Sequence, residues 1–454
     1  MASLSRQIKR TKVKRSKREN LNGSKSLERS LLRLQNLGAG IGGALVLLSA
    51  PAIAQAGDGF TVSVDGDTTT YEQTAQKVYN RVDSYNIGME ETHIYNQPGA
   101  DSVFLQRVTG ADPSSILGQL TANGQVWIMN PSGVLFGSRA RINTAGFIAS
   151  SLVMGEDDFF AGRYNLTQEG SGGYVVNKGT IDVKNGGYAI LAGASVVNDG
   201  TIKADDGEVV IAAGRKMSFD FDGDGMIVYA VDEAVAARIV GPDGADLTSA
   251  VLNAGNISGA KVAMTAKAAR TVFDAVVNNT GVIEAKSVST EGGVIKLLGG
   301  DEGNVINTGT LDASGAASGG TVVMSGEKVG TAGQIRVDAV SGDAGSIELT
   351  STVKTAAADG ALLSASSASG AGGNVIIKSQ GDAILAQNAH IDISGGTYGG
   401  FAELSGAQGI YLEGTVDGAG GIDDGTFLID PTVLWIVDKS AAPGSLDGSL
   451  PDIL

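Results

Sequence analysis

Three aspartates in one short segment have the spacing of a calcium-binding loop. Asp220, Asp222 and Asp224 occupy alternate positions and a glycine follows the third, which is how EF-hand loops begin before their sharp turn. The twelfth position of such a loop is a glutamate that binds calcium through both oxygens, whereas here it is Val231. The segment therefore favours a hairpin turn built on Asp-Gly over a calcium site, and we predict no metal and no cofactor.

Groups that could support acid-base or nucleophilic catalysis are few. The chain has two histidines, His93 and His390, and no cysteine. Nothing like Gly-x-Ser-x-Gly in a strand-to-helix context supports a Ser-His-Asp triad, so we interpret both histidines as ordinary strand or corner residues. Carboxylates at related outward positions of short strands would suit a polysaccharide lyase or hydrolase, but a solvated strand face explains them more simply. These carboxylates are Asp182, Glu284, Asp312 and Asp392.

The elements that carry these residues repeat along the chain. A pattern Asn-x-Gly-x-Ile/Leu occurs five times, and its starts advance by 21, 55, 26 and 28 in sequence number. Repeats of roughly 20 to 50 residues indicate a solenoid, and strands without helical periodicity make it a β-solenoid. We interpret the asparagine and glycine as corner residues that provide left-handed or otherwise open backbone conformations. The five copies begin at Asn177, Asn198, Asn253, Asn279 and Asn307.

A second pattern, glycine followed by a short apolar run, alternates with the first. From Gly293 onward its starts advance by 27, 25, 28 and 27 in sequence number. In segments such as Ile181-Asp182-Val183 alternate side chains face opposite sides of a strand, so the apolar ones stack into a dry core. We therefore predict an all-β, right-handed parallel β-helix with an N-terminal cap and extra-helical hairpins, one of them formed by residues 218–229.

The segment 1–56 differs from the rest and has the three regions of a secretory signal peptide. It contains 11 Lys or Arg and 2 Glu, and a basic leader precedes an apolar stretch and small-residue sites that predict cleavage after Ala54 or Ala56. The apolar stretch, residues 37–48, is shorter than the roughly 20 residues needed to span a bilayer. We therefore predict no stable membrane span, and a basic nucleic-acid-binding arm is the less favoured alternative.

Without that leader the remaining chain is strongly acidic. The whole chain has 33 basic and 49 acidic residues, so 22 and 47 remain and the formal net charge becomes -25. Such a charge favours solubility and disfavours nucleic acid as a partner. Because the chain has no cysteine, an oxidising periplasm cannot cross-link it before it leaves the cell. Its stability must come from a large core and long hydrogen-bonded ladders.

The most specific pattern lies in residues 123–151. Residues 126–129 and 134–136 are short apolar runs, and Asn130-Pro131-Ser132-Gly133 between them suits a type I turn. The whole segment resembles the central motif of the filamentous haemagglutinin-type secretion domain, the N-terminal module of exoproteins exported by two-partner secretion. Further segments follow that family's order and spacing, namely Ile87-Gly88, Tyr95-Asn96-Gln97-Pro98, Arg107-Val108-Thr109-Gly110, Pro113-Ser114-Ser115-Ile116-Leu117-Gly118 and Ala122-Asn123-Gly124.

The resemblance implies a partner and a role for the turn. In the family, a dedicated outer-membrane β-barrel transporter recognises the secretion domain in the periplasm, and the chain crosses it unfolded and folds outside. Asn130, Pro131 and Gly133 match the family's Asn-Pro-Asn-Gly turn. Ser132 replaces the second asparagine and is itself a good turn residue. Members often carry a second Asn-Pro motif upstream, for which Asn96-Gln97-Pro98-Gly99 is the candidate here.

The resemblance also implies how the chain is divided and what it does. We expect a secreted or cell-surface exoprotein of a Gram-negative bacterium, adhesin- or haemagglutinin-like and not an enzyme, with a host-cell or glycan receptor as a further partner. A secreted polysaccharide-degrading β-helix enzyme and a truncated remnant of a longer adhesin stay open as alternatives. The expected parts are an extended signal peptide (1–56), the two-partner secretion domain (57–312), further β-helix coils (313–432) and a C-terminal tail (433–454).

Overall fold

The protein is almost entirely β-structure, with one short helix among its described residues. The computed structural model describes residues 52–221, 228–269, 271–285 and 292–431. Within those ranges, no helix is both long and apolar enough to cross a membrane. Most of the predicted leader, the predicted tail, and Asp222 and Asp224 of the calcium candidate lie outside the described residues.

A small antiparallel sheet begins the described chain. Strand β1 (Ala52–Gly57) pairs with β2 (Phe60–Asp65), which in turn pairs with β3 (Thr68–Gln73). Gly66 has a φ of 57° in the turn between β2 and β3, a left-handed conformation that tight hairpins require and that glycine adopts without strain. Because β3 also pairs in parallel with the first coil, these strands form the predicted N-terminal cap.

The strands after the cap build the coils and two excursions from them. Up to the end of the second excursion they are β4 (Lys77–Val82), β5 (Thr92–Asn96), β6 (Val103–Val108), β7 (Ser114–Ile116), β8 (Gln119–Ala122), β9 (Gln125–Met129), β10 (Val134–Phe136), β11 (Arg141–Thr144), β12 (Gly146–Ser150), β13 (Leu152–Val153), β14 (Tyr164–Gln168), β15 (Tyr174–Asn177), β16 (Thr180–Val183), β17 (Tyr188–Gly193), β18 (Ser195–Asn198), β19 (Thr201–Ala213), β20 (Lys216–Asp220) and β21 (Val228–Glu233). Those that follow are β22 (Ser249–Asn253), β23 (Asn256–Ala266), β24 (Ala275–Asn279), β25 (Val282–Ala285), β26 (Val294–Leu298), β27 (Asn304–Asn307), β28 (Thr310–Asp312), β29 (Thr321–Thr331), β30 (Gln334–Arg336), β31 (Ser346–Ala357), β32 (Leu362–Ser364), β33 (Asn374–Ser379), β34 (Asp382–Leu385), β35 (His390–Asp392), β36 (Phe401–Gly406), β37 (Gly409–Leu412), β38 (Thr415–Asp417) and β39 (Thr426–Pro431).

Parallel pairing between successive coils produces three faces, which confirms the predicted parallel β-helix. The first face stacks β4, β6, β9, β12, β17, β19, β23, β26, β29, β31, β33, β36 and β39. The second face stacks β3, β5, β8, β11, β16, β19, β23, β25, β28, β30, β32, β35 and β38. The third face stacks β7, β10, β15, β18, β22, β24, β27, β29, β31, β34 and β37. Long strands such as β19 bend at a corner and serve two faces.

The core runs along the axis between the three faces. In β16, Ile181 and Val183 are buried and Asp182 between them is exposed, as the alternation in sequence predicts. Register places Ile181 directly over Ile142 on one side and Ile202 on the other, and both are buried. Each coil therefore covers the apolar side chains of the previous one, and no coil could bury its own face alone.

An asparagine ladder occupies the corner between the third and second faces. Each ladder asparagine is fully buried and donates from Nδ2 to Oδ1 of its counterpart in the next coil, with all four N–O distances 2.8 Å. The last donor, in the coil of β27, is accepted by Thr331 Oγ1 at 3.0 Å. The ladder thus satisfies amide groups that would be costly to bury alone. Its members are Asn177, Asn198, Asn253, Asn279 and Asn307.

The glycines next to the ladder are required by close stacking, whereas the sequence pattern predicted left-handed or otherwise open backbone. A Cβ on Gly281 would overlap the carbonyl oxygen of Gly255 in the previous coil, and neither residue has a positive φ. Among described residues other than glycine, positive φ values occur at Asp206, Thr271 and Asn388, none of which belongs to the ladder. The corner glycines therefore permit close approach between coils.

A separate antiparallel sheet of four strands is built from two excursions. β13 pairs with β14, β14 with β20 and β20 with β21, which confirms the hairpin predicted at residues 218–229. The first excursion also contains the helix α1 (Glu156–Phe160). The two excursions together bury Trp127, whose side chain projects outward from the first face and is 1% exposed. Its ring lies 5.6 Å from that of Phe159 and 5.2 Å from that of Tyr164, centroid to centroid.

Removing one rung should show how much the asparagine ladder contributes. In Asn253→Ala, the Asn198 amide loses its acceptor and Asn279 Oδ1 loses its donor inside a dry core, so we expect the free energy of unfolding to fall by about 2 to 4 kcal/mol. Asn256→Ala, at an exposed position on the adjoining strand, is the matched control and should change it by less than about 0.5 kcal/mol. Denaturant titration measures both, and equal losses would contradict a special role for the ladder.

Candidate functional site

The predicted turn between β9 and β10 is present and closes tightly. Gly133 N–H donates to the carbonyl of Asn130 at 2.9 Å, the bond expected across a four-residue β-turn. Ser132 N–H donates to Asn130 Oδ1 at 2.9 Å, so the asparagine side chain also caps the turn it begins. The corner connects the first face to the third.

Asn130 is fully buried and holds three coils together. Its backbone N–H donates to the carbonyl of Ser150 in the following coil at 2.9 Å. Its Nδ2 donates to the carbonyl of Asp112 and to Ser114 Oγ in the preceding coil, both at 3.0 Å. Since Oδ1 accepts within the turn, donor and acceptor groups of the side chain are all used inside the fold. Sequence reasoning found the asparagine but missed its partners Asp112, Ser114 and Ser150.

The next coil covers this turn closely. Gly133 has a φ of 125°, and a Cβ there would lie 3.1 Å from the carbonyl oxygen of Tyr174. A Cβ on Gly173 would in turn lie 2.5 Å from the carbonyl oxygen of Pro131. Burial against the turn raises the pKa of the Tyr174 hydroxyl above its ordinary value. Pro131 and Ser132 stay partly exposed, so the folded protein presents little of the motif.

The second candidate motif forms a different corner, between β5 on the second face and β6 on the first. Gln97 is buried there, and its Nε2 donates to Gln73 Oε1 at 2.9 Å and to the carbonyl of Ser102 at 3.0 Å. Asn123 in the next coil accepts Gln97 N–H at 2.7 Å and donates to its carbonyl at 2.8 Å. Asn96 is exposed and donates to Glu72. Gln97, and not Asn96, is therefore the organising residue of this corner.

His93 belongs to a buried hydrogen-bonded network at the capped end. Its Nδ1 lies 3.2 Å from the hydroxyl of Tyr85, which lies 2.7 Å from the hydroxyl of Tyr95. Gln106 Nε2 donates to Tyr95 at 2.9 Å. Burial lowers the pKa of His93 from 6.5 to about 4, with the Glu91 carboxylate opposing the shift, so the imidazole is neutral at pH 7.

The remaining sequence candidates are spread along the coils. His390 lies on β35 with Nδ1 2.9 Å from Thr415 Oγ1, remote from the coil of His93. The carboxylates predicted to recur outward do share the second face, on β16, β25, β28 and β35. In the part of the chain that the structure describes, no group of three or more His, Asp or Glu side chains could hold a metal ion. Asp220, the calcium candidate within that part, ends β20 in the hairpin.

The comparisons with known proteins agree on one family. The model of the TPS secretion domain, where TPS denotes two-partner secretion, matches residues 49–313, more than half of the chain. The heme/hemopexin-binding protein of Haemophilus influenzae strain Rd is 40% identical over 90 residues, which are 20% of this chain and 10% of that protein. A further Haemophilus influenzae protein of that name is 28% identical over 261 residues, 52% of this chain and 27% of the relative.

A solved structure supports the fold. The crystal structure of the HMW1 secretion domain from Haemophilus influenzae superimposes with a TM-score of 0.64 and covers 84% of this chain and 99% of its own. Its sequence identity of 24% supports a shared β-helix and nothing finer. The chain spans about a tenth and about a quarter of the length of the two curated relatives.

Stability should decrease as the pH falls because of His93. Its folded-state pKa of about 4 lies below the 6.5 of an exposed imidazole, so the unfolded chain binds a proton that the folded one excludes. The contribution of His93 to the free energy of unfolding is therefore fully present above pH 6.5. It is lost as the pH falls from 6.5 to 4, which lowers the free energy of unfolding by roughly 3 kcal/mol. Denaturant titrations at pH 7 and 4.5 should show a smaller loss for His93→Gln than for the wild type. His390→Gln is the control, and equal losses in all three proteins would refute the assignment.

Proposed function

The chain belongs to the TPS secretion domain family, and we propose that residues 130–133 form part of an export signal that an outer-membrane transporter reads before the chain folds. The protein is a secreted exoprotein of the two-partner secretion pathway, destined for the cell surface or the extracellular space. The transporter is the partner that membership of this family implies. What the exported protein does outside is a further proposal.

The burial of Asn130 carries the proposal that recognition precedes folding. The folded turn leaves no donor or acceptor of its side chain available, because Asp112, Ser114 and Ser132 occupy them. A transporter that contacts this asparagine must therefore meet it in an extended chain, when the same groups are free to bind a partner. Once the chain has folded outside the cell, these groups are bonded within the fold and are no longer available. The transporter therefore releases the folded chain.

Sequential formation of coils outside the cell can make export unidirectional without hydrolysis of a nucleotide. Each coil offers the next one a paired edge and an apolar face, and nearest-neighbour contacts dominate the stability of a solenoid. A coil that emerges and docks on its predecessor can no longer return through a pore that passes only unfolded chain. Inward residues such as Ile181 and Val209, both fully buried, are thus required during export as well as afterwards.

For the exported protein we favour an adhesin-like binding role. Its long parallel faces expose rows of polar side chains, and the curated relatives are named for binding heme and hemopexin. The carboxylates Asp182, Glu284, Asp312 and Asp392 stand one to a coil along the second face, as the repeat itself dictates. A polysaccharide-degrading enzyme is therefore disfavoured, and sugar release by the wild type that is lost on substituting these carboxylates would reverse that preference.

Binding of the unfolded chain tests the signal. Chain diluted from denaturant should bind the periplasmic part of its transporter, and Asn130→Ala should bind at least several-fold more weakly because it lacks the recognised amide. Asn253→Ala is the matched control, since it also removes a fully buried asparagine but lies outside the motif. It should bind like the wild type although it folds less stably. Equal binding by both variants, or stronger binding by folded chain, would contradict early recognition.

Secretion tests the contribution of folding. With the transporter present, Ile181→Asp places a charge in the core and should leave the chain arrested in the periplasm or membrane, because an unpaired buried charge prevents that coil from docking. Asp182→Ser, at the exposed neighbouring position, should be secreted normally. Immunoblots of the medium and cell fractions measure both. Normal secretion of Ile181→Asp would show that folding of the coils is not what makes export unidirectional.

A further inference from the structure

The first coils are covered from outside by a segment that comes much later in the chain. All six residues of β6 are buried, although alternate side chains of a strand point away from the axis. The outward ones, Val103, Leu105 and Arg107, are at most 8% exposed. Val103 and Leu105 belong to one buried cluster with Phe159 and Leu166 of the first excursion. That excursion leaves the coils after β12, so it reaches back over coils that precede it.

Specific bonds join the same excursion to β4, the strand at which the first face begins. Lys77 Nζ donates to the carbonyl of Phe159 and to the hydroxyl of Tyr164, both at 3.2 Å. The amine also lies 5.4 Å from the centroid of each of these two rings, which adds cation–π attraction. Tyr79 donates to the carbonyl of Met154 at 2.9 Å. The partners in these bonds are 75 to 87 residues apart in sequence.

An ion pair connects the end of this segment to the second coil. Arg107 Nη2 lies 2.6 Å from Glu169 Oε2, and 9% of the arginine side chain is exposed. A guanidinium buried to this extent is destabilising unless a carboxylate pairs with it. Arg81 and Glu156 form a more exposed pair at 3.3 Å. We call residues 154–169 the clasp, because they connect the coil of β12 to the coils of β4 and β6.

The clasp lies directly beside the proposed export signal. Trp127, three residues before Asn130, is covered by the clasp. Its ring contacts those of Phe159 and Tyr164. Ser150, whose carbonyl accepts the N–H of Asn130, lies two residues before β13, where the first excursion begins. The strand that covers Asn130 therefore continues directly into the clasp.

We propose that closure of the clasp, and not the docking of the first coil, makes residues 130–133 unavailable to the transporter. This inference rests on the function proposed above, in which the transporter reads that turn before the chain folds. Until the clasp has left the pore, the outward side chains of β6 lack their cover, and Lys77 and Arg107 lack their partners. The coils of β4 to β12 and the clasp thus form one cooperative unit, whereas later coils depend mainly on their neighbours.

Hydrogen exchange of the full chain, followed by mass spectrometry, tests the cooperative unit without a transporter. Phe159→Ala removes a fully buried ring of the outer cluster and leaves the axial core unchanged. Exchange in β4 and β6 should become faster by about tenfold or more, while β33 and β36 keep their rates. Phe160→Ala is the matched control, because its side chain is 51% exposed. Acceleration confined to α1 and β14, or equal acceleration along the whole chain, would overturn the proposal.

Glu169→Gln tests the clasp without removing apolar contacts. It deprives the buried Arg107 guanidinium of its charge partner and nearly preserves the side-chain shape, so exchange in β6 should become several-fold faster. Glu90→Gln is the control, since Glu90 and its partner Arg139 are both well exposed, and it should leave β6 unchanged. Unchanged exchange in β6 for both variants would overturn the clasp even if Phe159→Ala fails to fold.

The loss of transporter binding with time connects the clasp to the signal. Chain diluted from denaturant is added, after increasing delays, to the periplasmic part of the transporter, and Phe159→Ala should remain able to bind several-fold longer than the wild type. Asn253→Ala, which removes a buried side chain outside the clasp, should lose binding at the wild-type rate. Equal rates in all three proteins would overturn control by the clasp and leave early recognition standing. Wild type that binds at no delay would instead refute the signal itself, and with it this control, although the exchange result would still decide whether the cooperative unit exists.

Discussion

Backbone hydrogen bonding between parallel coils fixes where every residue lies relative to its counterpart one coil away. Because paired strands are only about 4.8 Å apart, counterparts must tolerate direct stacking. Stacked asparagines satisfy their buried amide groups by hydrogen bonding to one another: Asn253 Nδ2 donates to Asn279 Oδ1 in the next coil at 2.8 Å. Glycine tolerates it by lacking a side chain, as Gly281 over Gly255 shows. Close stacking of this kind accounts for many of the glycines in the described coils.

The same constraint determines how the coils accommodate insertions. Both excursions leave at the end of a first-face strand, after β12 and after β19, and return to the third face at β15 and β22. Asn198 and Asn253 remain direct ladder partners although 55 residues separate them. The inserted strands gain stability by packing together over Trp127 on the outside of the first face. An insertion is thus tolerated when it departs from and rejoins a corner without shifting the register.

Sequence patterns predicted the repeating part of this fold because stacking imposes them. The spacing of Asn-x-Gly-x-Ile located the corners, and the alternation at Ile181 to Val183 located the core. Patterns without repetition were weaker guides: the short strand β13 and the outward burial of Trp127 depend on long-range packing that no local period reports. The physical role of Asn130 was also hidden, since its partners Ser114 and Ser150 lie in neighbouring coils.

The proposed signal at residues 130–133 is also a structural corner, so the proposal links recognition by the transporter to the rate of folding. Parallel β-topologies fold slowly, because each coil must close a long loop before its contacts form, and without cysteine no disulfide fixes the chain beforehand. Slow folding of this kind would keep the asparagine amide available to the proposed transporter. Once coils assemble, the bonds from Asn130 to Asp112 and Ser114 compete directly with any partner for the same amide. If residues 130–133 are the export signal proposed above, the fold itself ends recognition and no separate release step is needed.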